Sequence, residues 1–186
     1  MLKDTIYFDE PGKENTIETL KAARNRAAEL GIRHMLVAST HGYTALMAAD
    51  IFKDTGIEII AVGISNSFAA EGWNMNTDER LKMEKQGIKV LVSLHGLEAG
   101  VAEAFTGSYS PGSIVADTLR CFSQGMKVAV EITIMAAEAG LISTNRDVIA
   151  VAGSGEGADT AIVLKPTYAR EFKKLKIREI IAKPYI

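Results

Sequence analysis

His34-Met35-Leu36-Val37-Ala38-Ser39-Thr40-His41-Gly42-Tyr43-Thr44-Ala45-Leu46-Met47-Ala48-Ala49-Asp50, residues 34–50, decides how this chain is read. The apolar run Met35 to Ala38 predicts a buried strand, Ser39 to Thr44 a tight hydroxyl-rich turn, and the alanine-rich remainder a helix. That order aims the turn's amides and the positive end of the helix dipole at one place, beside the hydroxyls of Ser39, Thr40 and Thr44. Such a place suits an anion, most often a phosphate. The competing reading is that Ser39 or Thr40 only caps the helix.

The same alternation continues on both sides. A helix is predicted from about Thr16 to Leu30, opened by a capping box of Asn15 with Glu18 and closed by Gly31. Its buried face would carry Ile17, Leu20, Ala23, Ala27 and Leu30. Buried strands are predicted at Glu58 to Gly63, Lys89 to Ser93, Asp147 to Ala152 and Ala161 to Leu164, with a short edge strand at Ile6 to Phe8 and a last strand at Ile177 to Ala182. Further helices are expected over Thr44 to about Thr55, from an Asn76 and Glu79 cap to Gly87, and over Gly100 to Phe105. After a break at Thr106 to Gly112 come Ser113 to Phe122, Gly125 to Ala139 and the tail Tyr168 to Leu175. The long loop from Ile64 to Asn76 holds Asn66, Phe68 and Trp73. It is either functional or pinned down by Trp73 as an anchor. Short apolar strands alternating with amphipathic helices predict a three-layer α/β/α fold around a parallel sheet.

At 186 residues and 47% hydrophobic, the chain supports one core and one domain over residues 1–186. A formal charge of −2 with mixed signs gives no pull toward nucleic acid or anionic membranes. The basic bias from Lys165 to Lys183 lacks an aromatic platform and reads as solvated surface. No apolar segment is long enough to span a bilayer, and Met1 to Thr5 do not read as a signal peptide. Cys121 is alone, so no intramolecular disulfide can form; it reads as a small core residue in a reducing cytoplasm.

A second loop strengthens the anion reading. Gly153-Ser154-Gly155-Glu156-Gly157-Ala158 has the spacing of a dinucleotide fingerprint, but a β-rich run follows it where the fingerprint needs a helix. What remains is three glycines in five residues after a strand, which expose amides and admit a ligand closely, or else make a flexible turn.

Taken together, the turn Ser39-Thr40-His41-Gly42-Tyr43-Thr44-Ala45 resembles the Thr-x-Ser-Gly-x-Thr-Ala turn of the C-terminal domain of pyruvate kinases. Asp147 to Leu164 resembles that domain's late strand, Gly-Ser-Gly-x-Thr-Asn-Thr loop and final strand. The resemblance covers residues 16 to 182 in order of elements, and implies a mostly parallel sheet of order 3-2-1-4-5 with strand 5 antiparallel. It implies that Ser39, Thr40, His41, Gly42, Tyr43 and Thr44 share one site with Gly153, Ser154, Gly155, Glu156, Gly157, Asp159 and Thr160, as the family's two loops form a sugar-bisphosphate site. The chain also resembles the small stand-alone archaeal proteins that carry this domain, which look like binders of flavin mononucleotide (FMN), and that resemblance implies a flavin phosphate in the cradle. Asn66, Ser93 and His95 open on the same edge, where a planar ring would lie. His41 stands where the kinases usually have a serine, and Glu156 and Asp159 make the second loop acidic, against a bisphosphate. Pyruvate kinase activity is not expected, since 186 residues leave no room for a catalytic barrel.

The spacing of His34, His41 and His95 matches no metal signature, and no serine, cysteine or lysine has an evident activating base, so no catalytic residue is assigned. His41 is the histidine expected to touch a ligand. Glu156 and Asp159 would repel phosphate and are expected to face a ligand hydroxyl or water. An FMN binder, with any redox chemistry supplied by the flavin, is the leading reading. A non-catalytic sensor of a phosphorylated metabolite is the second, and a subunit assembling through its alanine-rich helices the third. Partners are therefore expected to be a phosphorylated small molecule and further copies of the chain as a homo-oligomer. Gly42→Asp is expected to abolish binding and leave the fold intact.

Overall fold

A computed structural model of the chain describes residues 3–107 and 109–185. Met1, Leu2, Ser108 and Ile186 lie outside the described residues, and with them part of the signal-peptide reading and one position of the break after Thr106. Among the described residues seven strands form one sheet: β1 (Ile6–Phe8), β2 (His34–Ala38), β3 (Glu58–Gly63), β4 (Lys89–Val92), β5 (Val148–Ala152), β6 (Thr160–Lys165) and β7 (Lys176–Pro184). Their order is β1-β7-β6-β5-β2-β3-β4. The expected 3-2-1-4-5 arrangement is the stretch β4-β3-β2-β5-β6, with β6 antiparallel to β5. The difference is that the sheet continues past it: β7 pairs antiparallel with β6, and β1 lies parallel to β7.

Every second residue of a strand faces the same side, so the sheet has two cores. On one face Met35, Val37, Ile59, Ala61, Ile149 and Val151 meet α1 (Thr16–Leu30), α2 (Tyr43–Ile51) and α3 (Thr77–Lys85). On the other, Leu36, Ile60, Val62, Ala150 and Ile162 meet α6 (Gln124–Glu138), flanked by α4 (Val101–Thr106) and α5 (Pro111–Arg120). Each fully buried leucine or isoleucine contributes roughly 1.5–3 kcal/mol relative to exposure. The alanines of the two alanine-rich helices, Ala45, Ala48, Ala129 and Ala136, are packed into the chain's own core.

Several local expectations are corrected. Asn15 does not cap α1: its side chain donates to Glu10 O at 2.8 Å and its backbone is already helical, because a 3-10 turn (Lys13–Asn15) precedes the helix. The buried face of α1 is Thr16, Thr19, Leu20, Ala23 and Ala27, which leaves Ile17 and Leu30 exposed. α5 starts at Pro111 because Ser110 caps it, accepting from Ser113 N at 3.2 Å. The tail predicted as a helix forms only a kinked 3-10 segment, Ala169–Lys174. Cys121 is exposed rather than buried, since α5 turns Ser113 and Ala116 inward. Among the described residues no helix is long and apolar enough to cross a membrane.

Candidate functional site

β2 and β5 run side by side and parallel, with Val37 opposite Val151, so the loops after them leave the same edge of the sheet. This is where the connections diverge to opposite sides, the position at which open α/β sheets form a crevice. A cleft of about 930 Å³ lies there, within the size range of small-ligand sites.

Of the residues singled out in the sequence, Ser39, Thr40, His41, Tyr43, Thr44, His95, Gly153, Gly155, Glu156 and Gly157 line this cleft. Gly42, Asn66, Ser93, Ser154, Asp159 and Thr160 do not. Gly42 holds φ 88 at the start of α2, and an added Cβ would meet Met83 Sδ at 3.4 Å. That distance is ordinary contact, but the left-handed φ strains any residue with a Cβ, so Gly42→Asp perturbs the fold and is no clean test of binding. Asn66 is exposed on the 3-10 segment Asn66–Glu71.

Asp159 is fully buried and faces neither ligand hydroxyl nor water. Its Oδ2 accepts from the amides of Gly12 and Ser154, both at 3.1 Å, and its Oδ1 from Thr160 Oγ1 at 2.8 Å. Thr160 in turn meets Ser123 Oγ at 3.1 Å. These two residues are the knot that ties the glycine loop to the N-terminal turn and to α6. Ala158 N donates to Thr16 Oγ1 at 2.9 Å and completes the tie. Gly157, at φ 70, lies so close to that turn that a Cβ would sit 2.4 Å from Thr16 Oγ1 and 2.6 Å from Lys13 Cα. Glu156, by contrast, is exposed and pairs with Lys13 Nζ at 3.0 Å, and the same ammonium lies 4.3 Å from the centre of the Tyr43 ring.

One wall is aromatic. His95 stacks on Phe68 at 5.1 Å and 12°, and Phe68 stacks on Trp73 at 6.4 Å and 19°. Trp73 is 54% exposed, so it is no buried anchor. His95 Nδ1 is buried without a hydrogen-bond partner. Burial lowers the pKa of His95 and nearby Lys127 adds to this, while Glu131 and Glu98 oppose it. His41 Nδ1 lies 3.1 Å from Glu79 Oε1, which holds the histidine at the rim.

Sequence reasoning missed the floor. Lys127 and Glu131, one turn apart on α6, are 3% and 5% exposed and bond at 2.6 Å. Lys127 also reaches Glu98 Oε1 at 2.7 Å, Glu98 accepts from Arg120 at 2.6 Å, and Leu97 N donates to Glu131 at 3.3 Å. Burial acts to raise the pKa of Glu98, but the hydrogen bonds from Arg120 and Lys127 outweigh it and leave the carboxyl below its ordinary value. The network joins α5, α6 and the loop after β4. The one signal available was a lone pair of opposite charges at i, i+4 inside an otherwise apolar helix. Among the described residues no three His, Cys, Asp or Glu side chains gather as a metal site.

Residues 18–164 match the family described as pyruvate kinase, alpha/beta domain. The chain belongs to that family. Solved structures similar to this alpha/beta domain include a pyruvate kinase from Cryptosporidium parvum, at 13% identity and a TM-score of 0.42, over 82% of this chain and 23% of that one. Another structure of Cryptosporidium parvum pyruvate kinase matches at 14% identity and TM-score 0.36, over 77% and 21%. A third, in complex with ADP, matches at 14% and 0.38, over 80% and 22%. The chain thus spans less than a quarter of the length of these kinases. The N-terminal turn with Lys13, strand β1 and strand β7 all lie outside the stretch that matches the alpha/beta domain.

Proposed function

We propose that this alpha/beta-domain protein binds a phosphorylated ligand in the cleft, with FMN as the leading candidate. The observation that carries the reading is that loops 39–44 and 153–157 border one cleft at the sheet edge where β2 and β5 meet. The amides of Tyr43 and Thr44 at the start of α2, the hydroxyls of Thr40 and Thr44, and the ammonium of Lys13 form the side that suits phosphate, while Ser39 Oγ accepts from Ala45 N at 3.4 Å and braces the turn. The ring of Trp73 and the orphaned Nδ1 of His95 suit the flat, hydrogen-bonding edge of a flavin. These residues fit the group, and a bound flavin would supply the redox chemistry. The chain's own part is to hold the phosphate, shield the ring from water along Phe68 and Met135, and keep a neutral imidazole near it. An exposed thiol at Cys121 fits a reducing cytoplasm as the setting, and assembly into a homo-oligomer belongs to the same reading.

A second reading, a non-catalytic sensor of a sugar phosphate, is favoured by the aromatic wall itself. Phe68 already stacks with both His95 and Trp73, and a ligand without a ring needs no slot among them. Mass spectrometry of what the native protein releases on denaturation, with thermal melts against FMN, riboflavin and sugar phosphates, separates the two. Stoichiometric flavin supports the first. Stabilisation by sugar phosphates alone supports the second, and no response to any phosphorylated compound refutes both.

A further inference from the structure

The cleft's cations differ in how far they are already neutralised. Lys127 is enclosed by Glu131 and Glu98, and Arg120 by Glu98 and Asp117. Lys13 has Glu156, a carboxylate 79% exposed on a glycine loop. Lys13 also comes from the turn that precedes the family match, outside the two loops that form the rest of the phosphate side.

We infer that Lys13 is the residue that selects for a charged phosphate in this cleft, and that Glu156 holds its ammonium until the ligand's phosphate replaces it. The inference rests on the reading above. The turn carrying Lys13 is pinned by Gly12 N to Asp159 and by Thr16 Oγ1 to Ala158 N, and the absence of a Cβ at Gly157 lets it close on the loop. Tyr43, on the first loop, sits under the ammonium, so Lys13 bridges the two loops that form the phosphate side. Giving up Glu156 costs little, because that carboxylate is already largely in water and an exposed ion pair is weak. A dianionic phosphate gains a charge-assisted hydrogen bond in return. An uncharged ligand gains nothing from the exchange, and that difference is the selectivity.

The test measures binding of FMN, riboflavin and inorganic phosphate to the parent, Lys13→Gln, Lys13→Arg and Glu156→Gln, with a thermal melt of each to establish folding. Lys13→Gln should weaken FMN and phosphate about tenfold and leave riboflavin unchanged, Lys13→Arg should stay within about twofold of the parent, and Glu156→Gln should tighten FMN by a few-fold. Equal FMN affinity in the parent and Lys13→Gln overturns the inference and leaves the proposed function standing. So does Glu156→Gln weakening FMN as much as Lys13→Gln, since the pair is then a strut between turn and loop. A folded parent that binds no phosphorylated probe overturns both.

Discussion

Replacing Lys127 by methionine tests whether the floor of the cleft is held by charge. The ammonium is 3% exposed and bonds Glu131 at 2.6 Å and Glu98 at 2.7 Å. Without it Glu98 keeps Arg120, but Glu131, 5% exposed, keeps only the long 3.3 Å bond from Leu97 N. Removing one partner of a buried pair typically costs 3–5 kcal/mol, because the other charge stays buried without compensation. The surviving Glu98–Arg120 bond places this case at the lower end, about 3 kcal/mol, or a fall in Tm of roughly 6–12 °C for a chain of this size. The double variant Lys127→Met with Glu131→Leu removes both charges and should return to within about 1 kcal/mol of the parent, since apolar side chains of similar volume often replace a buried pair without loss. Thermal and urea melts of the parent, Lys127→Met, Glu131→Leu and the double variant read all of this. A single variant melting within about 2 °C of the parent, or a double variant as unstable as the single, would refute the reasoning.

Other expectations rest on other parts of the cleft. Gly157→Ala should cost about 2 kcal/mol, from a strained positive φ and a Cβ driven into Thr16 and Lys13, and hydrogen exchange should speed up at residues 12–16; slow exchange there would argue against the tie. Glu98 has a folded-state pKa below its ordinary 4.5, so its stabilisation is present above that value and lost as pH falls through the folded value; Tm against pH in Glu98→Gln should lack this part of the acid slope. His95 should titrate below 6.5 by NMR, since burial favours the neutral ring, and a midpoint at or above that value contradicts the placement of its imidazole.

How far the fold could be read from residues alone differs by region. Strands β2, β3 and β5 are short apolar runs buried on both faces, a pattern that admits few other placements, and their observed bounds lie within one residue of those expected. Gly31 and Asn76 acted as punctuation as anticipated, with Asn76 and Glu79 forming a true capping box. Asn15 failed because a cap is decided by its neighbours: Thr16 was drawn into bonding with Ala158, over a hundred residues away, and a 3-10 turn took the cap's place. The same limit hid the role of Asp159. Its acidity suggested a ligand-facing group, whereas burial, a distant amide donor at Gly12 and a local one at Ser154 make it a backbone tie. Lys13 was invisible as a cleft residue, because nothing local shows that the turn before α1 folds onto a loop near residue 156.

The pairing of β1 with β7, Tyr7 beside Lys183, sets an order of events during synthesis. A three-residue strand has no independent stability, and its partner among the described residues, β7, is made long after it. The stretch from β2 to β4 can collapse early, but β1 must wait for β7. Such far-apart closure is a slow step in folding, so the lysine-bearing turn just after β1 should be the last part of the binding crevice to settle.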